Sequence, residues 1–162
     1  MLHIVLLEPE IPQNTGNISR TCAAIGARLH LIEPLGFSLD DRSLKRAGID
    51  YWNLVDLKTH RSLEDFYAEE GIKAHCADKR VFYLSARAQR LYTNARFPSE
   101  VFFVFGREST GLPAALVAAA GRRCLRIPIL PDVRSLNLSN SVAIIAYEYE
   151  RRRGFPLGRM VP

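Results

Sequence analysis

IPILPDVRSLNLSNSVAIIAYE, residues 127–148, is the stretch on which the fold turns. An apolar, strand-like run enters it from Cys124, halts at Pro128 and Pro131, and reopens as a helical pattern at Asn137. Ser135, Asn137, Ser139 and Asn140 crowd that helix start. The first turn of a helix leaves four backbone N–H groups without intrahelical partners, and small polar side chains satisfy one or two of them. Four such side chains exceed that need, so the surplus points to a binding site.

Outward from this stretch, short apolar runs recur at Leu2 to Leu7, Leu29 to Ile32, Val81 to Leu84, Val101 to Phe105 and Cys124 to Ile129, and they read as buried strands. Helical patterns lie between them. Gly16 to Ile25 carries Ile18, Cys22 and Ile25 on one face, and Ser62 to Glu70 carries Leu63, Phe66 and Tyr67. Further helices fit Pro113 to Ala120 and Asn137 to Arg153. This alternation predicts an α/β fold, a mostly parallel sheet with helices on both faces. In such sheets ligands collect at the carboxyl ends of strands. Three polar loops sit at such ends: Pro9 to Thr15, Gly106 to Gly111 and Pro131 to Leu136.

The 162 residues, 48% of them apolar, suffice for one substantial core, and a single domain over residues 1–162 is expected. Twenty-two basic against 17 acidic residues give a formal charge of +5, which favours an anionic partner without naming it. Cys22, Cys76 and Cys124 are widely spaced and read as reduced core thiols. The scattered histidines show no metal-ligand spacing, and no metal is assigned. The longest apolar run, Ala114 to Ala120, is far below the roughly 18 residues of a membrane span, and Leu2 to Leu7 lacks a basic leader, so a cytoplasmic protein is expected. G-x-G-x-x-G after the first strand, G-x-x-x-x-G-K-[ST] and G-x-S-x-G are all missing. Standard dinucleotide, P-loop and α/β-hydrolase sites are thereby disfavoured.

Three motifs carry the chemistry. In EPEIPQNTGNISR, residues 8–20, Asn14 or Thr15 can cap the helix, while Arg20 lies on a different face from the apolar stripe. It is either a solvated helix arginine or a reaching group. In FGRESTGLP, residues 105–113, two glycines let the backbone pass close to a flat ligand, and Glu108 can accept from a ribose hydroxyl or from nearby backbone donors. The same loop also reads as a plain strand-to-helix connection. In residues 127–148 the prolines stiffen an apolar shelf that suits the faces of an adenine, and Asn140, Ile144 and Tyr147 share one helical stripe. Tyr147 fits a core or interface position as well.

Taken together and in this order, the three motifs resemble the SPOUT superfamily of RNA 2′-O-methyltransferases, over nearly the whole chain. The match is to its small members that act on the wobble nucleotide of tRNA. The resemblance implies a C-terminal deep trefoil knot, S-adenosyl-L-methionine as cofactor, a homodimer and the tRNA anticodon loop as partner. It implies methyl transfer to the ribose 2′-hydroxyl of cytidine or uridine at tRNA position 34. By motif, Leu84, Gly106, Ile127, Ser135 and Leu136 are expected at the cofactor, and Arg20 in the catalytic place. Arg134, Asn140 and Tyr147 are expected near the RNA or the catalytic pocket. A guanidinium stays charged in proteins, so donation from Arg20 to a developing alkoxide or a neighbouring phosphate is preferred to proton abstraction by it. Arg42, Lys45, Arg46 and the run Arg151 to Arg153 are further RNA candidates, the last equally explained as a solvated helix end. The alternatives are a related enzyme for another tRNA position or ribosomal RNA, and a non-catalytic RNA-binding protein of the same fold.

Overall fold

Strand β1 (Leu2–Leu7) is buried at every position, as is expected of a parallel strand covered on both faces. A computed structural model describes residues 1–39, 54–73 and 78–156 of the chain. Around β1 stand β2 (Arg28–Ile32), β3 (Leu57–His60), β4 (Val81–Leu84), β5 (Arg90–Leu91), β6 (Val101–Phe105) and β7 (Cys124–Arg126). They form one seven-stranded sheet in the order β3-β2-β1-β6-β4-β7-β5. Every pairing is parallel. The neighbours β1, β6 and β4 at its centre carry the longest apolar runs, and their carboxyl ends open onto the site described below.

Among the described residues, four α-helices cover the sheet: α1 (Pro12–Ile25), α2 (Leu63–Glu69), α3 (Ala114–Ala120) and α4 (Leu138–Arg152). On one face α1 contributes Ile18, Cys22 and Ile25, and α4 contributes Val142, Ile145, Ala146 and Tyr149, packed on Ile4, Leu6, Leu29, Phe103 and Phe105. On the other, Phe66 and Tyr67 of α2 and Ala120 of α3 meet Val5, Leu7, Tyr83, Phe102 and Val104. Each fully buried aromatic or aliphatic side chain of this kind stabilises by roughly 1.5–3 kcal/mol. The Tyr67 and Tyr83 hydroxyls satisfy one another at 2.6 Å.

The α/β reading holds, with three local corrections. Helix α1 begins at Pro12, four residues before Gly16, with Ile11 at its N-cap, so neither Asn14 nor Thr15 is a cap. Proline is at home there because the first helical N–H has no partner to lose. Strand β7 ends at Arg126 and does not reach Ile129; the backbone pairs no further once Pro128 and Pro131 approach. Strands β3 (LKTH) and β5 (RL) lacked an apolar run because each lies at an edge of the sheet, half exposed. Cys22 and Cys124 are buried free thiols, and burial pushes the Cys22 thiol up to about 12, so it is inert. Cys76 lies outside the described residues. Among those residues no helix is long and apolar enough to cross a membrane.

One polar feature crosses the core. His3 pairs in register with Arg28, and His30 stands two residues further along β2; His30 pairs with Lys58, and His60 stands two further along β3. Successive steps of two keep the three imidazoles on one face in a diagonal row. His3 Nδ1 lies 2.9 Å from His30 Nε2, and His30 Nδ1 lies 2.9 Å from His60 Nε2.

Candidate active site

A cavity of about 740 Å³ opens at the carboxyl ends of β4, β6 and β7, a volume in the range of small-molecule sites. Its walls come from the three loops singled out by sequence. Ile11 and Asn14 enter from the start of α1, Gly106 to Leu112 from the loop after β6, and Ile127, Ile129 and residues 134–138 from the segment leading into α4. Leu84 closes the end of β4, and Ser85 to Arg87 add an unforeseen fourth edge.

The loops are laced together by side chains. Glu108 accepts from Glu10 N at 2.8 Å, from Ile11 N at 3.3 Å and from Asn14 Nδ2 at 3.0 Å. Those two backbone N–H groups at the head of α1 thus find a carboxylate, which suits the positive end of the helix dipole. Of the two roles open to Glu108, binding neighbouring donors is the one realised here. A carboxylate only accepts, so the Asn14 amide must present Nδ2 to it and turn Oδ1 the other way. There Oδ1 accepts from Asn137 Nδ2 at 2.9 Å. Asn137 in turn caps α4, its Oδ1 accepting from Ser139 N at 2.9 Å and Ser139 Oγ at 2.6 Å. A second set runs beside the first. Ser109 N and Oγ donate to Glu10 at 2.8 and 2.7 Å, and Arg134 Nη2 donates to the Ser109 carbonyl at 3.0 Å.

The backbone of the middle loop is folded tightly. Gly111 N donates to Arg107 O at 2.9 Å, and Gly111 takes a φ of 71°. A Cβ placed on Gly106 would stand 2.2 Å from the Gly111 carbonyl carbon and 2.3 Å from Leu112 N. Only glycine fits there. Glu8, whose φ of 52° is unusual for a side-chain-bearing residue, is held by its N–H on Ile32 O and by its carboxylate on Arg107.

The expected site residues divide into two groups. Leu84, Gly106, Ile127, Ser135, Leu136 and Arg134 all line the cavity. Arg20, Asn140 and Tyr147 do not; all three are exposed. Arg20 is six residues beyond Asn14, about 9 Å along α1 and turned some 240° around it. It therefore stands on a different face of α1 from Asn14, outside the wall of this chain's cavity. Arg151 and Arg152 are ion-paired to Glu148 at 2.8 and 2.7 Å, and Arg153 to Glu150 at 3.3 Å. Two carboxylates thus serve three guanidiniums at the end of α4, which supports the structural reading of the run and still leaves one positive charge in excess. Arg42, Lys45 and Arg46 lie outside the described residues.

Sequence reasoning did not foresee Asn14 as a bridge, nor Glu10 and Ser109 as partners. The available signal was the polar surplus in all three loops, which marks a site but does not say which side chains hold each other.

A model of the SpoU rRNA Methylase family matches residues 1–147. A Geobacillus stearothermophilus protein named "putative tRNA (cytidine(34)-2′-O)-methyltransferase" is 50% identical over 157 residues, 95% of this chain and 96% of its own. The Escherichia coli (strain K12) tRNA (cytidine(34)-2′-O)-methyltransferase is 42% identical over 157 residues, covering 96% of each chain. A solved structure concerned with 2-OH methylation of C/U34 on tRNA superposes with a TM-score of 0.85 at 47% identity, over 95% of this chain and 97% of that one.

Proposed function

The chain belongs to the SpoU rRNA methylase family, and on that footing we propose that it is a tRNA methyltransferase acting on the ribose 2′-hydroxyl of the wobble nucleotide, cytidine or uridine at position 34. S-adenosyl-L-methionine is its methyl donor. The observation that carries this reading is the meeting of three loops, far apart in sequence, around one cavity at the carboxyl ends of parallel strands. The names of its full-length relatives supply the substrate.

The cavity suits the donor. Leu84, Ile127 and Leu136 offer apolar surface for an adenine, and Gly106 and Ser135 offer backbone and hydroxyl groups at its wall. Bound there, the donor supplies a methyl group already activated on a sulfonium. What remains for the chain is to position the ribose, exclude water and manage one proton. In this reading Arg134, exposed on the cavity wall, holds a backbone phosphate, and its exposure and planar fork of donors support that role.

Arg20 acts in this reading from a second copy of the chain. Helices α1 and α4 lie side by side on one face of the sheet, and Arg20, Asn140 and Tyr147 are exposed on them. A homodimer packed across these helices brings Arg20 of one protomer to the cavity of its partner, where it donates to the alkoxide that develops on the 2′-oxygen. The same reading takes the chain as one cytoplasmic domain with its C-terminal part knotted. In the structure α4 is bound to the segment before β6, Tyr149 donating to Ser99 O at 2.6 Å and Arg152 Nη2 to Thr93 O at 2.7 Å.

The test is incubation of the purified protein with bulk tRNA and labelled S-adenosyl-L-methionine, followed by mapping of the product by mass spectrometry. A 2′-O-methyl group at position 34 is expected. Methyl on a base, or at another position, overturns the reading.

A further inference from the structure

Ser109 has all its polar groups engaged: its N–H and hydroxyl donate to Glu10, and its carbonyl accepts from Arg134. It thereby links the first, second and third loops of the site, as the Glu108, Asn14 and Asn137 set does at a deeper level. The inner set is anchored by Asn14, buried at 6% exposure. The outer set is exposed and ends on a guanidinium. Arg134 belongs to a segment, residues 127–137, with neither helix nor strand. Among the described residues its one recorded hydrogen bond is to the Ser109 carbonyl. A guanidinium carries five N–H donors in a planar fork, so most of this one stays available to a planar anion while a single tether sets its aim.

We propose that Ser109 is a positioning residue for the RNA substrate, gripped by Glu10 and holding the Arg134 guanidinium toward a backbone phosphate in register with α1. This rests on the methyltransferase reading above. The tether matters because a long side chain on an irregular segment otherwise loses rotamer freedom at the moment of binding, which weakens the complex. The bonds from Asn14 to Glu108 and from Asn137 to Asn14 do not involve the Ser109 side chain, so they remain when its hydroxyl is removed.

The experiment is steady-state kinetics of the full chain on bulk tRNA, with calorimetric titration of S-adenosyl-L-methionine, for Ser109→Ala, Ser109→Thr, Arg134→Ala and the Ser109→Ala/Arg134→Ala double variant. Ser109 and Arg134 are exposed, so all four variants are expected to melt cooperatively near the wild-type Tm, which thermal unfolding checks. Ser109→Ala is expected to raise KM for tRNA about three- to tenfold, the range for one hydrogen bond, with kcat and cofactor affinity unchanged. Ser109→Thr, which keeps the hydroxyl, restores KM. In the Arg134→Ala background Ser109→Ala has no further effect, because the group it aims is gone. Additive losses in the double variant, or a parallel loss of cofactor affinity, overturn the proposal while leaving an active enzyme. A wild-type chain inert on tRNA overturns the methyltransferase reading, and this role with it.

Discussion

Asn14 and Glu108, 94 residues apart, are joined by a hydrogen bond of 3.0 Å from the Asn14 amide to the Glu108 carboxylate. Through it the head of α1 and the loop after β6 become one wall of the cavity.

Asn14→Asp sets two carboxylates against each other in place of this bond and removes the group that Glu108 accepts from. Loss of a partly buried bond to a charged group destabilises by about 1–3 kcal/mol. Thermal unfolding should show a lower Tm, and calorimetry a weaker complex with S-adenosyl-L-methionine. An unchanged Tm in Asn14→Asp would mean that the bond contributes nothing.

Gly106→Ala forces a methyl group into backbone atoms only 2.2 Å away. Because Gly111 and Leu112 are main chain at that point, the loop must shift and cannot merely rotate a side chain aside. Cofactor affinity is expected to fall at least about tenfold in a chain that still gives a cooperative melt. Titration of the variant with S-adenosyl-L-methionine measures this.

Arg20→Ala and Gly106→Ala protomers, assayed at an S-adenosyl-L-methionine concentration too low to load the Gly106→Ala cavity so that each alone is inactive, should recover activity when mixed. If Arg20 serves the partner's cavity, a mixed dimer has one site with both residues intact, and statistical mixing returns about a quarter of wild-type turnover. No recovery after subunit exchange, itself checked by mass spectrometry, would place Arg20 and the cavity in the same protomer or remove Arg20 from the reaction.

The histidine row makes stability fall on the acid side. Burial holds His3 down to about 4, with Arg28 adding to the effect, and burial together with His3 and His60 holds His30 down to about 2. Both sit below the unfolded value of 6.5, so the unfolded chain binds more protons and the contribution is full above about pH 6.5. It is lost as pH falls from there toward 4. Asp78, held down to about 2 chiefly by its hydrogen bond from Arg80, adds a separate loss that begins only near pH 4. Urea denaturation at pH 7, 5.5 and 4.5 should show declining stability across the first window, and a flat profile there would contradict it. The row also explains a close approach of His3, His30 and Glu70, whose ligating atoms lie within 4.8 Å of one another. Both His30 nitrogens already face other imidazoles at 2.9 Å, a hydrogen-bond length.

Much of this was legible in the chain itself. The runs at Leu2, Val81 and Val101 are apolar apart from His3 and the Tyr83 hydroxyl because their strands are covered on both faces, and burial on both faces leaves a nearly unbroken pattern that a single sequence displays. The polar surplus around Ser135 and Asn137, with the glycines at 106 and 111, marked the loops of the cavity and carried the family. Edge strands such as β3 gave no such pattern, since half-exposed residues need not be apolar.

What the sequence by itself determined, then, is which segments are buried and which loops are chemically equipped, because burial and turn chemistry are properties of neighbouring residues. Only the tertiary structure decided the partners: Glu108 with Asn14, Asn14 with Asn137, Ser109 with Glu10. It also ion-paired Arg151, Arg152 and Arg153 to Glu148 and Glu150 and left Arg20 outside the wall of its own cavity. Those outcomes depend on strand order and on where α1 begins along its axis, and a shift of one residue rotates every helical side chain by about 100°.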